Sequence, residues 1–204
     1  LIMPEGVDLK AVTAVLDGVA AAKQRAAELL GTPVPLRPPG FCIGCPERPV
    51  FTALKLIERE LGGIHISSDI GCHTFSTLPP FNLGNTVLGY GLSLAAASAV
   101  APNFGKRTVT VMGDGGFWHQ GLTTGVANAV FRKDDGVLVI MQNGYTSATG
   151  TQNIASSPGL SPEEGRPIAI EDTLRGLGVK WIERVPNYQV SDVAAALRRA
   201  MTAE

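Results

Sequence analysis

An apolar run, Thr108 to Met112, passes without a spacer into Gly113-Asp114-Gly115-Gly116, and a second apolar run, Val137 to Met141, stops just before Asn143-Gly144-Tyr145. Glycines after a strand let the backbone approach an anion closely, and a helix that starts there turns its N–H groups toward it. A carboxylate in the middle of such a loop would repel a phosphate. It becomes useful once a divalent cation sits between the two, and magnesium takes an octahedron of oxygens from carboxylate, amide, carbonyl, phosphate and water. Asp114, the amide oxygen of Asn143 and the backbone carbonyl of Tyr145 form such a donor set at two neighbouring strand ends. Singly, Gly-Asp-Gly and Asn-Gly are ordinary turn signals. Together, at this spacing, they point to a magnesium–diphosphate site.

The rest of the chain supplies the frame such a pair of loops needs. Asp8 to Leu30 is alanine-rich with helical spacing, and a proline-rich connector, Thr32 to Gly40, follows it. Pro49 to Leu61 reads as an amphipathic helix, Ile64 to Ser67 as a short strand and Thr86 to Ala101 as a core helix. Arg107 to Met112 reads as a strand, Leu122 to Phe131 as a helix, and Val137 to Met141 as a strand buried on both faces. Residues 143–166 read as a long polar loop. Ile170 to Leu177 reads as a helix, Lys180 to Val185 as a strand, and Ser191 to Met201 as a final helix opened by Ser191-Asp192. Strands alternating with helices predict an α/β fold, a doubly wound, mostly parallel sheet with helices on both faces. The expected division is a lead-in over residues 1–40 and a binding domain over 41–204. In such a sheet ligands sit outside the carboxyl ends of the strands, which selects the loops Ser68–Asn85, Gly113–Gly121 and Asn143–Gln152.

Composition removes several function classes. With 204 residues, 45% of them hydrophobic and 17% charged, the chain can bury a sizeable core. A net charge of −1 leaves no basic excess for nucleic-acid binding. The weakly polar run Thr86 to Pro102 is too short for a bilayer span, so no membrane partner is expected. No signal peptide is visible. The three cysteines all precede residue 73 and cannot all pair, so a reducing, cytoplasmic setting is expected. The start without methionine and the stop at Thr-Ala-Glu read as a segment of a longer chain. No Gly-x-Gly-x-x-Gly follows a strand, which argues against a dinucleotide site.

Gly113-Asp114-Gly115, the 27 residues 116 to 142 and then Asn143 resemble the thiamine diphosphate motif, with Gln142 where the motif usually has its first asparagine. The segments Phe41-Cys42-Ile43-Gly44-Cys45-Pro46 and Ser68-Asp69-Ile70-Gly71-Cys72 are similar to those of the 2-oxoacid:ferredoxin oxidoreductases, above all the indolepyruvate type. So are Leu78-Pro-Pro-Phe81-Asn82, Phe117-Trp118-His119 and residues 143–150. The likeness covers most of residues 40–155. It implies oxidative decarboxylation of a 2-oxoacid with coenzyme A, giving acyl-CoA, carbon dioxide and reduced ferredoxin. It also implies thiamine diphosphate and Mg²⁺ as cofactors, contacted by Ile70, Gly71, Cys72, Gly113, Asp114, Gly115, Gly116, Asn143, Tyr145 and Thr146. The glutamate that activates the cofactor is expected outside this chain, on a pyrimidine-binding domain or partner subunit, so an oligomer or larger enzyme is expected.

Two readings of the cysteines stay open. In relatives that hold a 4Fe–4S cluster in this domain, the Cys-x-x-Cys pair and the Ile-Gly-Cys cysteine ligate it with a fourth cysteine, so Cys42, Cys45 and Cys72 would be three of four ligands. Alternatively Cys42 and Cys45 are turn cysteines, and Cys72 lines the cofactor pocket. Of the histidines, His65 alternates with Ile64 and Ile66 and reads as structural. His73 and His119 follow the site loops and are the candidate proton-transfer groups. Two rival functions remain: a thiamine enzyme without redox chemistry, such as a 2-oxoacid decarboxylase or synthase, and a non-catalytic domain that keeps only the fold.

Overall fold

The computed structural model describes residues 8–32, 38–159 and 165–203. Residues 33–37, most of the expected proline connector, and 160–164 in the long polar loop lie outside the described residues. The chain divides into two compact units, Leu1–Pro39 and Gly40–Glu204.

The first unit is one helix, α1 (Leu9–Leu30). Asp8 accepts a 2.9 Å hydrogen bond from the Lys10 N–H at its start, and Gly31, in the left-handed conformation, closes its end onto the Glu28 carbonyl. Its apolar residues Val15, Leu16 and Val19 are exposed.

The second unit is built on three parallel strands in the order β1 (Ile66–Ser68), β2 (Thr108–Gly113), β3 (Gly136–Met141). Side chains alternate across this sheet as the period of two requires. Val109, Val111, Val137 and Met141 join α2 (Glu47–Leu61) and the C-terminal helix on one face. Met112, Leu138 and Ile140 join Leu94 and Phe117 on the other. The helices are α3 (Ser93–Phe104) and α4 (residues 114–132), then α5 (Ile170–Gly176) and α6 (Val190–Thr202). Helices therefore cover both faces, which is the doubly wound arrangement. Beyond β3 a small antiparallel hairpin pairs Tyr145–Thr146 with Gln152–Asn153. Among the described residues no helix is long and apolar enough to cross a membrane.

Four expectations from the sequence change. The helix expected from Thr86 starts only at Ser93, because Thr86 extends the sheet: it bridges Ser67 and accepts the Ser68 N–H at its carbonyl. The helix expected from Leu122 starts at Asp114, widens to π-helical geometry over Phe117–Val126 and returns to α geometry over Ala127–Arg132. Lys180 to Val185 makes no ladder with β3. Val179, Ile182 and Val185 reach the core by side chains alone, and a groove of about 1040 Å³ runs beside β3, which leaves Leu138, Val139 and Ile140 half-buried. Ser191-Asp192 is not the cap of α6. Gln189 precedes the helix, and Asp192 sits within its first turn, where a negative charge suits the helix dipole.

Candidate cofactor site

The carboxyl ends of β1, β2 and β3 open into the three loops selected from the sequence, and parallel pairing brings them to one rim. Asp114 directly follows β2, opens α4 and is 1% exposed. Its Oδ1 accepts the Gly115 N–H at 2.9 Å, and its Oδ2 accepts those of Asn143 at 3.0 Å and Gly144 at 2.6 Å. One carboxylate thus fastens the loop after β3 to the start of α4. Burial pushes its pKa up from the ordinary value, and these N–H donors pull it back. Among the described residues no cation faces it. Oδ1 keeps a lone pair beyond its one hydrogen bond, so the residue fits a divalent ion.

Asn143 lies beside it. Its amide oxygen accepts the Tyr145 N–H at 3.1 Å and its amide nitrogen donates to Ser147 Oγ at 2.6 Å. Gly144, at φ +88, and the Ser157 hydroxyl, which donates to the Gly144 carbonyl at 2.6 Å, hold this turn in shape. Tyr145 is 36% exposed, and Thr146 faces Gly115 across the loop. A Cβ on Gly115 would lie 2.6 Å from Thr146 Oγ1 and 2.5 Å from the Tyr90 hydroxyl, so only glycine fits. Gly113 and Gly116 complete the approach to the helix. Ile70 is exposed on the neighbouring loop, and Gly71 is the hinge into the 3₁₀ turn Cys72–Thr77.

The histidines separate. His119 is exposed, stacks on Tyr90 with centroids 4.9 Å apart, and lines a cavity of about 310 Å³ with Gly115, Trp118 and Thr146. His73 is buried, 3% exposed, wedged against Gly71 and Gly113 beneath the loop, with Nδ1 3.9 Å from Glu47 Oε1. His65 hydrogen-bonds the hydroxyls of Thr86 and Ser67 at 3.3 Å each. Phe117 is core, and Trp118 donates to Ser156 Oγ at 2.8 Å.

Cys42 is exposed, while Cys45 and Cys72 are half-buried. Burial raises both of the latter thiols, and the nearby Glu47 carboxylate raises them further. Arg48 ties the Cys42–Cys45 turn to α2 by donating to the Phe41 carbonyl at 2.6 Å and the Cys42 carbonyl at 3.0 Å. Among the described residues no three His, Cys, Asp or Glu side chains converge to hold a metal ion. Cys72 lies near enough to Cys45 and Cys42 for their charges to raise its thiol further, and the sequence holds no fourth cysteine to complete a four-thiolate set.

Sequence reasoning passed over Asp69 and Tyr90. Asp69 directly follows β1 as Asp114 follows β2, is fully buried, and accepts the Gly91 N–H at 2.7 and 2.9 Å and the Ile70 N–H at 2.7 Å. A buried carboxylate at a second strand end was the available signal.

Comparison with known proteins gives the family and the fold. The profile of the family described as thiamine pyrophosphate enzyme, C-terminal TPP binding domain, matches residues 69–204. The chain is similar to indolepyruvate oxidoreductase subunit IorA of Archaeoglobus fulgidus, 34% identical over 91% of this chain and 29% of that protein. It also resembles the Methanothermobacter marburgensis subunit of the same name, 31% identical over 95% of this chain and 32% of that one. The chain therefore spans about a third of the length of the curated relatives it matches. Its fold is shared with a solved 2-oxoglutarate:ferredoxin oxidoreductase from Magnetococcus marinus. That match has a TM-score of 0.62 at 22% identity and covers 82% of this chain and 61% of that one. With a buried strand-end aspartate, a glycine loop and a second loop fastened across them, the chain belongs to the thiamine pyrophosphate enzymes, as their C-terminal TPP-binding domain.

Proposed function

We propose that this chain is the diphosphate- and magnesium-holding part of a 2-oxoacid:ferredoxin oxidoreductase acting on an arylpyruvate-like 2-oxoacid with coenzyme A. The observation that carries the reading is Asp114: a buried carboxylate, without a cation partner among the described residues, that joins the glycine loop to the Asn143 loop. The relatives named as indolepyruvate oxidoreductase subunits support the substrate class. In this reading Asp114 Oδ1, the Asn143 amide oxygen and the Tyr145 carbonyl ligate Mg²⁺, and the side-chain-free Gly113–Gly116 loop lets the diphosphate approach the backbone at the start of α4. Ile70, Gly71 and Cys72 border the cofactor from the β1 side. When bound, thiamine diphosphate supplies the carbanion chemistry and the electron sink.

The chain's own residues bind, orient and shield. His119, exposed beside the cavity, exchanges protons with the substrate. His73, buried against Gly113, supports the loop from below and faces Glu47. The activating glutamate comes from a pyrimidine-binding domain or partner subunit within an oligomer, and electrons leave to ferredoxin through groups outside this chain. A reducing cytoplasm suits three free thiols. No step is assigned to an iron–sulfur cluster on Cys42, Cys45 and Cys72.

Titration calorimetry of the full-length protein tests the reading. Asp114→Ala should abolish magnesium-dependent binding of thiamine diphosphate with the fold retained. Asn143→Ala should weaken it less, since water replaces a neutral amide more readily than a carboxylate. Wild-type affinity in the Asp114 variant would sink the metal assignment.

A further inference from the structure

The loop before α3 carries a side chain to which no role has been given above. Tyr90 is half-buried, and its hydroxyl lies over the diphosphate loop, so close that a Cβ on Gly115 would meet it at 2.5 Å. Among the described residues its only hydroxyl contact is a long one, 3.5 Å to Thr146 Oγ1, so both hydroxyls retain hydrogen-bonding capacity above the Gly115 backbone.

The residue is held from three sides. Its ring stacks on His119, and its carbonyl accepts from the Gln120 side chain on α4. The next N–H, that of Gly91, is taken by both oxygens of the buried Asp69 at 2.7 and 2.9 Å. Gly91 adopts φ +80 and packs so closely on α4 that a Cβ there would lie 2.9 Å from the Gly116 carbonyl. The loop thus has one backbone conformation, and Tyr90 is presented by β1 and α4 together.

We propose that the Tyr90 hydroxyl is a further cofactor-binding group that donates to the diphosphate of the bound cofactor, and that Asp69 is the positioning residue that presents it. This deepens the proposed function and rests on it. A tyrosine hydroxyl is a donor to an anionic oxygen, and bonds to charged acceptors are stronger than neutral ones. A side chain already fixed in its binding geometry loses little freedom when the ligand arrives. Tyr90 and Thr146 would then reach the same phosphate over the Gly115 backbone.

The test uses the full-length protein, with Mg²⁺ and either thiamine diphosphate or inorganic diphosphate as the titrant. Tyr90→Phe keeps the ring on His119 and removes only the hydroxyl. It should weaken both ligands by a similar factor, about tenfold or more, with an unchanged unfolding midpoint. Asp69→Asn should weaken both in the same proportion to each other. The double variant should be about as weak as the weaker single one, because Asp69 acts through Tyr90. Wild-type affinity in Tyr90→Phe overturns the proposal, as does a loss confined to thiamine diphosphate or fully additive losses in the double variant. Failure of the unmodified protein to bind thiamine diphosphate with magnesium would instead overturn the reading of function itself.

Discussion

At the scale of single residues the site is set by two carboxylates and the small residues around them. Asp69 and Asp114 directly follow adjacent parallel strands and spend their oxygens on backbone N–H groups of other loops, which fixes loop conformation more tightly than turn propensity alone could. Burial holds the Asp69 carboxyl above its ordinary 3.8, so the folded state binds that proton more tightly than the unfolded chain does. Its contribution to stability is therefore greatest below 3.8 and is lost as pH rises through the raised value. Urea unfolding at a series of pH values should show wild type losing stability relative to Asp69→Asn across that window and a constant difference above it. A constant difference throughout would contradict the burial argument. Gly115→Ala forces a methyl group within 2.6 Å of two hydroxyls and 3.3 Å of the Thr146 Cα, so cofactor binding should be lost while far-UV circular dichroism stays that of wild type. The cysteines differ by access: Cys42 is exposed, whereas the buried Cys45 and Cys72 thiols are raised. Mass spectrometry after iodoacetamide treatment near neutral pH should find Cys42 modified first, with the other two catching up as pH rises.

At the scale of elements, α2 and the start of α4 carry the most weight. α2 contributes Val50, Phe51, Leu54 and Ile57 to the core it shares with β2 and α6, and Leu54 is fully buried among them. Leu54→Ala leaves a cavity between helix and sheet and should cost about 2–5 kcal/mol in chemical denaturation. A loss below about 1 kcal/mol would mean that the helix relaxes onto the sheet. α4 begins at the aspartate itself, and its glycines follow from crowding. A Cβ at Gly116 would lie 2.7 Å from Asp69 Oδ2, and one at Gly121 would lie 2.5 Å from Met112 Sδ. The widened turns over Phe117–Val126 lie over Met112 and Leu94, where Gly121 and Gly125 allow close packing.

At the scale of the whole molecule the chain spans about a third of the length of the curated relatives it matches, and the site it carries opens at a rim. Ile43, Ile70, Leu88 and Tyr145 are exposed apolar residues in the loops of this unit. If the proposed function holds, the protein combined with the partner region that supplies the activating glutamate, and given an arylpyruvate, coenzyme A and oxidised ferredoxin, should release carbon dioxide together with reduced ferredoxin, and Asp114→Ala should stop both. Carbon dioxide without reduced ferredoxin would favour the non-redox thiamine reaction instead.

The amino-acid sequence by itself determined the strand, glycine–aspartate loop, helix and second strand, because alternation, apolar runs and backbone-permissive glycines are local properties. It also placed Asp114 and Asn143 at neighbouring strand ends, since parallel strands of similar length finish on one rim. It did not determine where α3 begins, that α4 starts at Asp114, or that residues 180–185 stay out of the sheet. Those outcomes depend on which distant groups compete for each N–H and each apolar face. Asp69 and Gly91 are 22 residues apart, and Tyr90 and Thr146 are 56 apart. Only the tertiary structure brings them together, because a buried carboxylate must find donors wherever the packed chain offers them.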